Sequence, residues 1–253
     1  SDLELLAEQG VEVTPHPWLE NCLILNKTGN LERLDAYGKG FFYVQDPASR
    51  LMALASGAAP GMRVLDMCAA PGGKSFAAAI QMDNQGEVIS CDLHPHKKKL
   101  IQAGADRLGL SIIKPMTADG KVRREEWVSA FDLVLVDAPC SGLGVIRKKP
   151  DIRYKDPKPL EDLPQVQQAI LENAAGYVKP GGVLMYSTCT ILPRENGEIV
   201  SAFLEKHPEF VREAFELPGA AGRVEAGEIT LWPQVHQTDG FFICKLRKVG
   251  EAP

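Results

Sequence analysis

No Cys-x-x-Cys pair occurs in the 253-residue chain. Its six cysteines (Cys22, Cys68, Cys91, Cys140, Cys189, Cys244) are scattered, so neither a metal site nor a disulfide framework is expected. Free thiols persist in reducing surroundings, which makes the cytoplasm the expected compartment. Long apolar runs are lacking too. The longest, such as Leu133 to Val136 and Val183 to Tyr186, are far too short to cross a bilayer, and no membrane partner is expected. A charged-then-apolar leader is also missing, so no secretory signal is expected. Positive charge is not in excess: 28 Lys and Arg stand against 33 Asp and Glu, a formal net charge of −5. Global charge therefore does not announce a nucleic-acid partner. The composition that remains is that of an ordinary globular protein. At 45% hydrophobic and 24% charged residues, it can build a sizeable core.

The pattern along the chain divides it in two. Residues 1–45 read as part of a small α+β subdomain, with a helix closed at Gly10 and short strands at Cys22–Leu25 and Phe41–Val44. Asp46-Pro47 then predicts a helix start, with the carboxylate as N-cap and the proline in the first turn, and Gly57 predicts its end. From Met62 onward strands and helices alternate, the pattern of an α/β fold with a parallel sheet covered on both faces. Strands are expected at Arg63–Asp66, Glu87–Asp92, Ser111–Met116, Phe131–Asp137 and Val183–Tyr186, with two more at Ile229–Trp232 and Phe241–Leu246. That gives a mostly parallel seven-stranded sheet in a domain over 46–253. Lys179-Pro180-Gly181-Gly182 is expected to close the helix before the fifth strand.

In open α/β sheets ligands gather outside the carboxyl ends of the strands. The fourth strand stops there at Asp137-Ala138-Pro139-Cys140, and Cys189 follows the fifth. Either thiol could serve as a nucleophile beside an acid. The turn Cys68-Ala69-Ala70-Pro71-Gly72-Gly73-Lys74-Ser75 ends like a P-loop but lacks its leading glycine, and Pro71 removes a backbone donor. Asp66 and Asp92 end the first two strands, and Asp119 follows the third. An acid at the position of Asp92 suits a ribose diol, so a nucleoside without phosphates fits better than ATP or NAD. Beyond Cys140 the charge turns basic: Arg147, Lys148, Lys149, Arg153, Lys155 and Lys158 outnumber Asp151 and Asp156. Such a patch beside the strand ends predicts contacts to nucleic-acid phosphates.

Asp66 to Lys74, Asp137-Ala138-Pro139-Cys140-Ser141 and Ser187-Thr188-Cys189 together resemble the Sun/NOL1/NOP2 family of S-adenosylmethionine-dependent RNA cytosine-C5 methyltransferases. Gln45-Asp46-Pro47-Ala48-Ser49 and Thr238-Asp239-Gly240-Phe241-Phe242 extend the likeness over nearly the whole chain. Gly144 to Arg147 and Pro150-Asp151 most resemble the bacterial RsmB branch, which modifies small-subunit ribosomal RNA. The resemblance implies a Rossmann-like class I methyltransferase domain, here a catalytic portion without the branch's NusB-like domain, acting as a monomer on RNA without a metal. It implies S-adenosylmethionine as cofactor, held by Cys68, Ala69, Ala70, Pro71, Gly72, Gly73, Lys74, Asp92, Asp119 and Asp137. It also implies that Cys189 attacks the base, Cys140 helps release it and Asp137 grips it. One departure stands out: Ala118 precedes Asp119 where the family more often has glycine.

Two other functions compete. DNA cytosine methyltransferases attack with the cysteine of a Pro-Cys pair, which would favour Cys140. The presence of both cysteine motifs speaks against that class. A non-catalytic RNA-binding factor could keep the fold, but the retention of Asp137, Cys140 and Cys189 together argues against it. Cys22, Cys91 and Cys244 sit in apolar strand patterns and are expected to be packing residues.

Overall fold

The computed structural model describes residues 2–146, 148–149, 151 and 162–250. In chain order the elements are α1 (Asp2–Glu8), β1 (Glu12–Pro15), β2 (Leu23–Asn26), α2 (Asp35–Gly38), α3 (Pro47–Ser56), β3 (Arg63–Asp66), α4 (Gly73–Gln81), β4 (Glu87–Asp92), α5 (Pro95–Leu108), β5 (Ile113–Thr117) and β6 (Phe131–Asp137). They continue with α6 (Leu163–Tyr177), β7 (Val178–Thr188), α7 (Gly197–Lys206), β8 (Phe210–Arg212), β9 (Phe215–Leu217), β10 (Gly222–Val224), β11 (Glu228–Leu231), α8 (Pro233–His236) and β12 (Phe241–Lys248).

The main sheet runs β11-β12-β7-β6-β3-β4-β5, with β8 added on the side of β12. Strands β5, β4, β3, β6 and β7 are parallel, and β12 pairs antiparallel with β7. The seven expected strands form this path, and β8 is an eighth. Order reverses at β3, whose neighbours are β4 and β6, so the ligand-binding crevice falls outside the ends of these three strands. Alternation along each strand fills both faces. Val64, Leu133, Leu135, Val183, Met185 and Ile243 point to the side covered by α3, α4 and α5. Leu65, Val134, Val136, Leu184, Tyr186 and Phe242 point to the side of α6 and α7.

Local signals explain the boundaries. The Asp46 carboxylate accepts a hydrogen bond from Ala48 N at 2.9 Å and caps α3, which ends at Gly57 with φ +71°. The N-terminal layer has its own small core of Leu6, Val11, Leu34 and Ala36. It meets α5 through Arg107, whose guanidinium lies 3.7 Å from the centre of the Tyr37 ring and donates to the carbonyls of Tyr37 and Phe42.

Two sequence expectations are corrected. Phe41–Val44 is not a strand: the Phe42 carbonyl is taken by Arg107, and Tyr43 turns to pack edge-on against Phe76. Lys179-Pro180-Gly181-Gly182 does not form a separate loop. It bulges within β7, which pairs with β6 at Val178 and again at Val183.

Candidate active site

The carboxyl ends of the parallel strands carry a row of chemistry in sheet order: Asp119 just past β5, Asp92 on β4, Asp66 on β3, Asp137 on β6 and Cys189 just past β7. Asp92 is buried, and one of its oxygens accepts from His94 N at 3.0 Å. Asp119 accepts from Lys121 N at 2.9 Å. Asp66 is fully buried and accepts from Ser75 Oγ at 2.7 Å, and Ser90 donates to that hydroxyl in turn. Burial lifts the Asp66 carboxyl to about 6, against the hydrogen bond from Ser75 and the charge of Lys74, which act to lower it.

The loop 68–73 is anchored rather than free. Ala69 N donates to Cys91 O at 2.8 Å, and Gln45 Nε2 donates to Gly73 O at 3.2 Å. Gly72 has φ +115°, and a Cβ there would meet the Phe76 ring at 2.6 Å, so only glycine fits this turn. Lys74 does not face the loop as a P-loop lysine would. Its ammonium donates to Asp137 Oδ2 at 2.6 Å, while Ser187 Oγ donates to Oδ1 at 2.9 Å. Burial works to lower the Lys74 ammonium, but the charge and hydrogen bond of Asp137 overcome it and hold the group above its usual value. The cation a phosphate would need is thus committed to Asp137. A ligand with a ribose diol and no phosphate, such as S-adenosylmethionine, fits this donor set.

Cys140 and Cys189 meet with their sulfurs 3.1 Å apart. The hydrogen bond with Cys140 lowers the Cys189 thiol, with help from Lys74 and against burial and the charge of Asp137. That same bond to Cys189, with burial, drives the Cys140 thiol far up. Either sulfur could donate across this contact, and the charge of Lys74 favours the anion on Cys189. Desolvation and the charges of Asp66, Asp137 and Asp92 push the Cys68 thiol well up, so it is no third nucleophile. Cys91 and Cys244 are buried packing residues, as expected, while Cys22 is half-buried.

A clamp of glycines holds the Cys189 loop. Gly144 N donates to Cys189 O and Gly240 N to Gly144 O, both at 2.9 Å. A Cβ on Gly144 would lie 1.9 Å from Gly240 O and 2.7 Å from Cys189 O. Gly144→Ala is therefore expected to cost about 1–3 kcal/mol, as overpacking does. In a thermal melt that should lower Tm by roughly 3–10 °C for a domain of this size; an unchanged Tm would mean the clamp is slack.

Of the basic patch, Arg147, Arg153, Lys155 and Lys158 lie outside the described residues, and Lys149 is exposed. Lys148, expected among the phosphate contacts, bridges Asp46 Oδ1 at 2.8 Å and Asp239 Oδ2 at 2.7 Å. It ties the start of α3 to the segment before β12, which explains why the motifs around Asp46 and Asp239 belong to one site. Sequence reasoning missed Glu195, Gln167 and Asn196, all buried beneath the two cysteine loops. Glu195 reads locally as an acid in the first turn of an expected helix, and no sequence signal marks it as part of the site. Among the described residues no cluster of His, Cys, Asp or Glu could hold a metal ion, and no helix is long and apolar enough to cross a membrane.

Comparison with known proteins places this geometry in company. A family described as "16S rRNA methyltransferase RsmB/F" matches residues 53–247. The probable ribosomal RNA small subunit methyltransferase B of Bacillus subtilis (strain 168) is 43% identical, over 98% of this chain and 57% of its own. The ribosomal RNA small subunit methyltransferase F of Erwinia tasmaniensis is 33% identical, over 95% of this chain and 53% of its own. The chain thus spans about half the length of the curated relatives it matches. Among solved structures, NSun6 from Pyrococcus horikoshii with SFG has a TM-score of 0.73 and 31% identity, covering 87% of this chain and 56% of that one. A methyltransferase homolog protein from Pyrococcus horikoshii has a TM-score of 0.80 and 28% identity, covering 98% of this chain and 83% of that one.

Proposed function

Since the chain belongs to the 16S rRNA methyltransferase RsmB/F family, we propose that it transfers a methyl group from S-adenosylmethionine to C5 of a cytosine in small-subunit ribosomal RNA. The transfer passes through a covalent bond between Cys189 and C6 of the base. The names of the relatives support the substrate class, and the structure of NSun6 with SFG, an S-adenosylmethionine analogue, supports the cofactor. The observation that carries the mechanism is the thiol pair at 3.1 Å, with one sulfur held low in pKa and the other high.

Cytosine C5 is a weak nucleophile. Addition of the Cys189 thiolate to C6 forms a C–S bond and moves electron density toward N3 and C5. Asp137 and Lys74 stand as one unit, with the Lys74 ammonium donating to Asp137 at 2.6 Å, and that unit stabilises the charge arriving at N3. When bound, S-adenosylmethionine supplies an electrophilic methyl group for C5. The loop 68–73 would line its methionine and ribose side, with Asp92 at the ribose hydroxyls and Asp119 beside the adenine. A water molecule then accepts the C5 proton, the C5–H electron pair forms the C5–C6 double bond as the C6–S bond breaks, and Cys189 departs as a thiolate hydrogen-bonded to Cys140.

The activity itself is tested with methyl-labelled cofactor and small-subunit ribosomal RNA, followed by nucleoside analysis. Label in 5-methylcytidine is the expected result; label in another nucleoside, or none, rejects the proposal. A second expectation concerns pH. Lys74 helps lower the Cys189 thiol, so the thiolate forms at lower pH than an ordinary cysteine would allow. Lys74→Met removes that cation, so the Cys189 pKa rises and the ascending limb of the pH–rate profile moves to higher pH. A limb that stays in place would separate Lys74 from the nucleophile.

A further inference from the structure

Each thiol of the pair is followed by a hydroxyl residue, Ser141 after Cys140 and Thr190 after Cys189. The two hydroxyls lie 2.8 Å apart, so the loops are joined twice, sulfur to sulfur and oxygen to oxygen. Beneath them sits Glu195, with none of its surface exposed. Its Oε1 accepts from Ser141 N at 2.9 Å and from Gln167 Nε2 at 3.0 Å, and its Oε2 accepts from Ser141 Oγ at 2.7 Å. Gln167 also donates to Pro139 O at 2.9 Å, so the residues on both sides of Cys140 are held. The neighbouring Asn196 does the same for Cys189: it accepts from Thr188 Oγ1 and donates to Thr190 O at 3.0 Å. The Glu195 backbone is itself fixed, because Tyr186 OH donates to its carbonyl at 2.6 Å.

A buried carboxylate is costly to place unless donors surround it. Here every hydrogen bond described to the Glu195 carboxylate comes from the Cys140 loop or from Gln167, which braces that loop. We propose that Glu195 is a positioning residue for the two thiols, the buried acid that sets Cys140 within hydrogen-bonding reach of Cys189. It touches neither sulfur and acts through Ser141. This assignment rests on the functional reading above for its purpose, though not for its geometry.

The consequence is measurable on the thiols alone. The groups that act on Cys189 are Cys140 from the loop after β6, Asp137 at the end of β6 and Lys74 on α4. Among them only Cys140 depends on Ser141 for its place. Freeing Ser141 lets the Cys140 donor drift, and Cys189 then behaves more like an ordinary thiol. The experiment follows alkylation of each cysteine by iodoacetamide against pH, with peptide mass spectrometry, on the whole chain without RNA or cofactor.

In Glu195→Ala the Cys189 midpoint is expected to rise by about one pH unit, which slows its alkylation roughly threefold below the midpoint, because the smaller thiolate fraction is partly offset by a more nucleophilic thiolate. Ser141→Ala, which loses a single hydroxyl, should shift it in the same direction. Glu195→Gln should stay near the parent value. Its amide oxygen can take Ser141 N and Gln167, and its NH2 can donate to Ser141 Oγ, which turns its own proton to Thr190. A folded Glu195→Ala or Ser141→Ala chain with an unmoved Cys189 midpoint overturns the assignment. If Glu195→Ala does not fold, Ser141→Ala decides. A parent chain that methylates no cytosine would defeat the functional reading and leave this thiol measurement standing. Active methylation with an unmoved midpoint would defeat the positioning role alone.

Discussion

Replacing Cys189 with alanine is expected to abolish the covalent RNA adduct and to cut methyl transfer by roughly four to six orders of magnitude, the scale on which loss of a covalent nucleophile acts. Cys140→Ala is expected to do the opposite to the adduct, which should accumulate while turnover falls. The reason lies in the hydrogen bond across 3.1 Å. Lowering the pKa of a thiol raises its thiolate fraction but reduces its intrinsic nucleophilicity, so the Cys140 donor changes the attack little. Departure is different, because a lower pKa makes a better leaving group. Removing Cys140 therefore slows release more than attack. Denaturing gel electrophoresis of each variant with RNA and cofactor separates the two: a slow-migrating protein–RNA band should appear for Cys140→Ala and be missing for Cys189→Ala. Exchange of those two patterns would make Cys140 the nucleophile.

Asp137→Ala should also be damaging, though less so, with methyl transfer down by about 10²–10³-fold, the usual cost of removing a preorganised group aimed at developing charge. The substitution also leaves Lys74 without its partner at 2.6 Å and Ser187 without its acceptor. The Lys74 ammonium, which burial works to lower, then loses the carboxylate that holds its proton. Asp137→Asn keeps the shape but presents an uncharged group to Lys74, so it should recover little activity. Steady-state kinetics distinguishes this from a binding defect: kcat should carry the loss, with KM for RNA changed far less. A loss confined to KM would mean that Asp137 only helps to bind the base.

Much of this site was legible in the sequence because parallel strands announce their own ends. Arg63–Asp66, Glu87–Asp92 and Phe131–Asp137 are strands that stop at an acid, and each expected boundary matches the structure. The cap at Asp46 and the stop at Gly57 were equally plain, since both use local chemistry. Errors arose where a local signal was overruled by a distant partner. Pro-Gly-Gly at 180–182 reads as a turn, yet β6 holds it as a bulge inside β7. Phe41–Val44 reads as a strand, yet its Phe42 carbonyl is bonded to Arg107, 65 residues away. Lys74 is a different case: the sequence puts it at the end of the ligand loop, and the fold adds the contact of its ammonium to Asp137, 63 residues on. Glu195 meets Ser141 across 54 residues, a pairing that no periodicity encodes.

The central claim is that Cys189 forms the bond to the base while Cys140 governs its release. Mass spectrometry of the protein–RNA adduct trapped with Cys140→Ala tests this most directly, by locating the nucleotide on a peptide after digestion. The account predicts a methylated cytidine nucleotide attached to the peptide that contains Cys189. Attachment at any other residue, or a Cys140→Ala chain that turns over normally with no adduct, would contradict it.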